Sequence, residues 1–287
     1  MWVYRLWAAW QLDRAFFMFR KTAVGDKARG QTAEALRAYI TSTASPEYQD
    51  ILVPTYDFGA KRPVMDHGYL ASTFRDNFEL VKCDGLVRVE HDGCTIVDAA
   101  GHSHYTDIVV LANGFATQDL LTPMIVRGRG SKSLQEQWQS MGGSEAYMGC
   151  VIIDRIGDTT ADTLRSVSVH GFPNLFLLTG PNTLPTGNST LHGIECSVIY
   201  ITRLLKGAWA ALAVDGVIIE PDASEQATYN EKLQQDMQQL VYSSAVSTWY
   251  INKETGKNTL IWPGTQFSFW WSRCVSAIRW QAWGIAT

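Results

Sequence analysis

Lys61 and Arg62 stand side by side before Pro63, in a stretch punctuated by Pro46, Pro54 and Gly59. A guanidinium stays charged, is planar and donates several hydrogen bonds, so Arg62 suits the stabilisation of negative charge that develops during a reaction. Lys61 is a point charge on a flexible stem, which fits a phosphate. Taken alone, a surface arginine near a hinge and a solvated lysine are the plainer readings. Gly180-Pro181-Asn182-Thr183 follows an apolar run, and Asn188 or Ser189 can cap a helix beyond it. A glycine-containing loop that opens a helix lets a ligand approach the backbone, and the helix N-terminus favours negative groups. The plainer reading is a turn and a cap. Asn188-Ser189-Thr190 also spells a glycosylation sequon, read here as chance. His102 and His104 lie close together, but no carboxylate or thiolate stands at matching spacing, so no metal site is expected. Trp249 has a core aromatic as its plain reading.

The elements that would position these residues follow from periodicity and turn chemistry. Helical texture covers roughly Trp2 to Ile40, with a break expected near Gly25 to Gly30. Thr41 to Pro63 reads as loop. Val87 and Val89, then Asp92-Gly93, then Thr95 to Val97 predict a hairpin, and a second turn follows at Ala100-Gly101. Asp107 to Ala112 is a continuous apolar run, the pattern of a strand buried on both faces of a parallel sheet, and it ends in Asn113-Gly114. Leu175 to Leu178 repeats that pattern ahead of Gly180. The helix beyond it would place Leu191, Ile194, Val198, Ile201 and Leu205 on one face. A last helix starts at Asp222, with Glu225 three residues on, and turns Leu233, Met237 and Leu240 inward.

Composition bounds the function. The chain has 287 residues, 46% hydrophobic and 18% charged, enough for one or two domains with a core. A net charge of -4 without a basic run gives no reason to expect nucleic-acid binding. The five cysteines form no Cys-x-x-Cys and read as free or buried thiols in a reducing, cytoplasmic setting. The apolar N-terminus, interrupted by Arg5, Asp13 and Arg14, lacks the roughly 18 uninterrupted apolar residues of a membrane helix. An amphipathic helix packed on the protein is expected there, without membrane contact.

The order of these pieces resembles flavin-dependent monooxygenases of the Baeyer–Villiger type, in particular those of fungal secondary metabolism. Tyr56 to Pro63 is similar to the family segment ending in Lys-Arg-Pro. Tyr69 to Val81, with Arg75-Asp76-Asn77, matches the next stretch. Asp107 to Phe115 resembles the family's Leu-Ala-Thr-Gly-Phe, with Asn113 where Thr is usual. Arg127-Gly128-Arg129-Gly130, Leu134, Trp138, Gly171 to Phe176, Gly180 to Thr183, Trp249-Tyr250 and Gly256-Lys257 continue it. The resemblance covers nearly the whole chain.

It implies an α/β fold: the C-terminal half of a doubly wound FAD/NAD(P)-binding domain, with a helical N-terminal remnant and an aromatic-rich tail. Residues 1–60 would be a remnant of NADPH-domain helices and linker. Residues 61–215 would be the C-terminal part of the FAD-binding domain, and 216–287 the last helix and tail. Cys150 to Ser166 departs from the family and would be a surface insertion or a translated intron. The implied activity is FAD- and NADPH-dependent oxygen insertion into, or hydroxylation of, a ketone-type metabolite. Arg62 would then be the catalytic cation, and Trp249 would border the substrate and nicotinamide side. Lys61 would meet the NADPH 2′-phosphate. Asn113, Gly114, Gly180, Pro181, Asn182, Asn188, Ser189 and Thr190 would lie along the flavin. Gly25, Gly30, Gly128 and Gly130 make no Gly-x-Gly-x-x-Gly loop in strand–helix context, so the N-terminal FAD portion and most of the NADPH domain are expected to precede Met1. The chain alone is therefore expected to hold neither cofactor tightly, and a non-catalytic remnant or a mis-assigned start are the alternatives. Exposed strand edges would favour self-association.

Overall fold

The computed structural model describes residues 7, 10–11, 13–83, 85–147, 150–153, 159–164, 168–185, 189–211, 218–244 and 248–275. They fall into two compact units. The larger comprises Met1–Arg29, Gly59–Lys61 and Thr117–Thr287, the smaller Gly30–Phe58 and Arg62–Ala116. Among the expectations above, Asn188, the Trp2 end of the first helix, the middle of the 150–166 segment and the aromatic tail past residue 275 lie outside the described residues.

Helix α1 (Ala23–Thr43) runs without interruption through Gly25 and Gly30, where a break was expected. The interruption falls instead at Arg20–Thr22. Gly25 is there for close approach: a Cβ on it would collide with the Arg20 carbonyl oxygen. Arg29, buried on the next turn, donates to the Met18 and Arg20 carbonyls at 2.6 and 2.8 Å and pairs with Asp26. The two carbonyl bonds thus fold the preceding segment back against the helix start, while the Asp26 pair lies within the helix.

The core of the larger unit has two parts. Phe16, Met237, Leu240, Tyr242, Tyr250, Leu260 and Ile261 pack together with Phe19 against them. Leu134, Trp138, Ala146, Val169, Phe172 and Leu177 form the second cluster. Two helices feed these clusters. Helix α4 (Leu134–Ser140) starts in a capping box between Ser133 and Glu136, and buries Leu134 and Trp138. Helix α6 (Ala223–Gln238) starts at Asp222, whose carboxylate accepts from the Ser224 and Glu225 amides, and turns Leu233 and Met237 inward as the 3.6-residue period requires. Strands β4 (Cys150–Ile153) and β5 (Thr159–Leu164) pair antiparallel, and β4 also pairs with β6 (Ile218–Glu220), with Ile152 opposite Ile219. The described parts of the segment that departs from the family pattern are thus two antiparallel strands, the first of them paired with β6.

In the smaller unit the short helix α2 (Gln49–Leu52) interrupts the expected loop, and a second short helix, α3 (Tyr69–Ser72), follows beyond it. The predicted hairpin is present. Strands β1 (Leu86–Val89), β2 (Thr95–Asp98) and β3 (Ser103–Tyr105) form an antiparallel meander, turning at Asp92-Gly93 and Ala100-Gly101. Asp98 is fully buried at the second turn and accepts from the Ala100 and His102 amides at 2.9 Å.

Three expectations are corrected. Residues 107–112 form no strand, and Ile108, Val110 and Leu111 are 79%, 82% and 77% exposed. A strand buried on both faces needs neighbours on both edges, and no described strand pairs with this run. Residues 175–178 likewise form no ladder; Leu177 is buried in the core but Leu178 faces out. Parallel pairing occurs among the described residues only at the Leu184–Ile261 bridge. Helix α5 (Thr190–Ala211) forms as expected, but it buries Gly193, Cys196, Ser197, Tyr200 and Leu204, while Leu191, Val198 and Leu205 are exposed. The stripe of larger aliphatics lost to the one carrying small and aromatic side chains, where Cys196 packs on the Phe269 ring.

Candidate functional site

Gly180, Pro181 and Asn182 are buried, and the loop they form is tied to the segment 258–262. The Asn182 amide donates to the Thr259 carbonyl at 2.9 Å, the Leu184 amide to Leu260 at 3.0 Å, and the Trp262 amide to Leu184 at 2.9 Å. Asn182 sits at φ +53, a left-handed conformation that asparagine tolerates better than most residues. Its Nδ2 donates to the Asn258 carbonyl at 2.8 Å and the Ile261 carbonyl at 3.0 Å. Two carbonyl acceptors on one side fix the orientation of the amide, so Oδ1 faces away, and it is buried with no hydrogen-bond partner. Thr183 Oγ1 closes the loop on the Gly180 carbonyl at 2.7 Å.

The same framework holds Trp249. Its carbonyl accepts from Thr117 Oγ1 at 2.6 Å and Gln118 Nε2 at 3.1 Å. Gln118 Oε1 accepts from Thr259 Oγ1 at 2.8 Å. The Thr259 amide donates to Tyr250 at 3.1 Å. Tyr250 is buried, its hydroxyl donates to the Ala60 carbonyl beside Lys61, and burial pushes its phenol above the usual range. The Trp249 ring meets the Tyr250 ring edge-on at 5.6 Å and is 43% exposed. Lys61, Trp249 and Gly180–Asn182 are therefore gathered by one hydrogen-bonded lattice in the larger unit. Gln118, Thr259 and Tyr250 are the residues of that lattice that sequence reasoning missed. Gln118 carries no motif signal, whereas Tyr250 stands next to a residue the resemblance singles out.

Ser189 and Thr190 are exposed at the start of α5; Ser189 Oγ accepts from the His192 amide at 3.3 Å. The first turn of this helix presents amides that need acceptors. In the smaller unit, Arg62 is exposed, and its guanidinium has no hydrogen bond or ion pair with a described residue. Asn113 and Gly114 are exposed as well, with Gly114 at φ +89 and open space where a Cβ would stand. His102 and His104 lie 3.3 and 3.2 Å from Asp98 Oδ2, a carboxylate the spacing argument overlooked. Even so, no described group of three or more ligating residues could hold a metal ion. Cys83, Cys94 and Cys196 are free thiols, and no described helix is long and apolar enough to cross a membrane.

A scan against models of protein families finds no match. The chain is 31% identical over 236 residues to a Baeyer–Villiger monooxygenase of Pseudomonas aeruginosa, a match spanning 82% of this chain and 40% of that enzyme. Over most of its length the chain is similar to Baeyer–Villiger flavin monooxygenases. It matches the C-terminal part of such enzymes and spans less than half the length of the curated relatives it resembles. It is also 27% identical to the FAD-binding monooxygenase ktnD of Aspergillus niger, over 82% of this chain and 35% of that one. Its fold is that of a steroid monooxygenase solved with NADP: TM-score 0.67 at 24% identity, covering 93% of this chain and 46% of the other. The two corrected strand expectations concern local pairing and leave this α/β assignment intact.

Each unit, taken by itself, offers a feature that a flavin ring could use, and the chain shows none for the diphosphate among its glycine stretches. The buried, unpartnered Asn182 Oδ1 suits an N–H donor, and the open surface at Gly114 suits a flat ring near the backbone. For the diphosphate no Gly-x-Gly-x-x-Gly loop is present. Gly128, in the Gly128-Arg129-Gly130 stretch, has its Cβ position filled by the Gly171 carbonyl and the Phe172 ring.

Proposed function

We propose that this chain supplies the oxygenation side of an FAD- and NADPH-dependent monooxygenase that inserts oxygen into, or hydroxylates, a carbonyl-bearing secondary metabolite. The observation that carries this reading is Arg62: a fully ionised guanidinium, exposed and uncommitted to any described partner, in the Lys-Arg-Pro segment. When bound, the flavin supplies the activated oxygen. This chain's residues would do the rest. Arg62 would stabilise the negative charge that grows on the substrate carbonyl oxygen, and Lys61 would receive the 2′-phosphate of NADPH. The indole of Trp249 would border the substrate, and the first turn of α5, beginning at Ser189 and Thr190, would face the electron-rich edge of the flavin. The fit at Asn182 and Gly114 supports the flavin-ring part of this reading.

The test is a fusion of this chain to the N-terminal part of the Pseudomonas relative. Flavin loading, NADPH oxidation and ester or lactone formation from a ketone panel are measured together. A folded, flavin-loaded fusion that oxidises NADPH but forms no oxygenated product from any ketone would overturn the assignment. A second reading, a chain that binds no cofactor and associates with itself, draws on the exposed run Ile108–Leu111.

A further inference from the structure

Gln118 lies in none of the segments that carry the family resemblance, yet its side chain bonds both Trp249 and Thr259 in the lattice described above. Its Nε2 donates to the Trp249 carbonyl at 3.1 Å and its Oε1 accepts from Thr259 Oγ1 at 2.8 Å. Thr259 is fully buried, and its carbonyl takes the Asn182 amide at 2.9 Å. Its own amide reaches the Tyr250 carbonyl at 3.1 Å. Gln118 thus joins the Gly180–Asn182 loop to Trp249 through a single buried threonine. Thr117, next to it, donates to the same Trp249 carbonyl at 2.6 Å.

The indole itself is not held this way. It is 43% exposed, makes no hydrogen bond with a described residue, and leans edge-on against Tyr250. Its place therefore depends on where the backbone of residues 249–250 sits. On one side that backbone is fixed by Tyr250, whose hydroxyl reaches Ala60. On the other it is fixed by the two donors from Thr117 and Gln118. A carbonyl accepting two side-chain donors has both lone-pair directions filled, so the peptide plane after Trp249 cannot rotate without breaking a bond.

We propose that Gln118 is a positioning residue: with Thr117 it sets the Trp249 backbone in register with the Asn182 loop, and so fixes where the indole borders the substrate side. This rests on the functional reading above for what Trp249 faces, but the positioning itself does not. A primary amide is required because the two bonds have opposite polarity, a donor towards Trp249 and an acceptor towards Thr259. Glutamate keeps the acceptor and loses the donor, which separates the two contacts.

The experiment uses the 287-residue chain labelled with 5-fluorotryptophan. Its 19F spectrum is recorded alongside that of Trp249→Phe, whose missing line assigns Trp249. In Gln118→Leu the Trp249 line should shift and narrow towards the position of a freely exposed fluoroindole, while the other lines hold. Gln118→Glu should move the same line, although it retains the bond from Thr259. Gln118→Asn, too short to span both partners, should resemble Gln118→Leu. Thr117→Val provides a second, milder probe that should move the line in the same direction. Thermal melting of each variant identifies general loss of structure, which would disturb every tryptophan line. An unmoved Trp249 line in both Gln118→Leu and Thr117→Val would overturn the proposal. So would a wild-type line in Gln118→Glu beside a shifted one in Gln118→Leu, since the Thr259 contact alone would then matter. Failure of the functional reading shows elsewhere, as absence of oxygenated product in the intact fusion, and leaves the 19F result unaltered.

Discussion

Replacing Asn182 by alanine should unfold the larger unit at markedly lower denaturant. The side chain is 3% exposed, and its two Nδ2 hydrogens serve the Asn258 and Ile261 carbonyls. Asn258 keeps a second donor, Gln234 Nε2 at 2.8 Å, so that loss costs only about 0.5–1 kcal/mol. The Ile261 carbonyl has no other described donor, and a buried orphaned carbonyl costs about 1–3 kcal/mol. Alanine must also hold φ +53, which costs about 1 kcal/mol more. The expected destabilisation is about 2.5–5 kcal/mol, large against a total stability of about 5–15 kcal/mol. Two companion variants divide the cost. Asn182→Gly relieves the backbone conformation and should recover about 1 kcal/mol. Asn182→Asp keeps the shape but turns acceptors towards two carbonyls, and should be as damaging as alanine. The assay is urea unfolding followed by tryptophan fluorescence, with amide exchange at Leu184 and Trp262 reporting the staple directly. An alanine variant within about 1 kcal/mol of the parent, or an aspartate variant matching it, would refute the claim that these two bonds hold the loop.

Four other outcomes are expected. In the fusion enzyme, Arg62→Ala should cut product formation about a hundredfold or more while leaving flavin reduction by NADPH intact, and Arg62→Lys should not restore the rate fully; stopped-flow reduction beside product analysis decides it. The isolated chain should emerge from gel filtration without a stoichiometric flavin band in its visible spectrum, because it carries no diphosphate loop. The turn at Asp98 should be acid-labile. The His102 amide, then the His104 and His102 rings and the Ala100 amide, hold the carboxyl down at about 2 against the upward push of burial. A depressed folded value means the stabilisation is present above the unfolded value of 3.8 and is lost as pH falls from there towards about 2. Exchange protection of the Ala100 and His102 amides over that window reads it, and protection unchanged at the acid end would contradict it. Finally, sedimentation should show oligomers, driven by exposed Ile108, Val110 and Leu111, and an Ile108→Lys/Val110→Lys double variant should shift them towards monomer.

Local signals in the sequence transferred well. The Asp92-Gly93 and Ala100-Gly101 turns, the Asp222 cap and the inward face of α6 depend on interactions within a few residues, so a short window contains their cause. What did not transfer depended on partners far away in the chain. The apolar runs at 107–112 and 175–178 have the composition of buried strands, but composition does not provide a neighbour to pair with. For α5 the hydrophobic stripe pointed to Leu191, Val198 and Leu205, whereas packing selected Gly193, Cys196 and Tyr200, on the side where Cys196 meets Phe269. Gly25 misled for a related reason: it read as a helix break and is a contact point inside a continuous helix.

The candidate site shows the same division between what a side chain is and what it is committed to. Gly180-Pro181-Asn182 reads as a ligand loop by its order after an apolar run and before a helix, yet the structure commits the Asn182 amide nitrogen to two backbone carbonyls and buries all three residues. Under the proposed function such a loop would offer a ligand its backbone and the remaining Oδ1, not a mobile side chain. By contrast, the guanidinium of Arg62 and the indole of Trp249 carry no structural hydrogen bond to a described residue. The backbone behind Trp249 is held by Thr117 and Gln118. A reacting group needs a fixed origin and a free end, and a side chain already committed to a staple cannot respond to charge that appears only during reaction. On that criterion the proposed chemistry would fall to Arg62 and the proposed contact selectivity to Trp249, whereas Asn182 belongs to the frame that holds its own loop against residues 258–261.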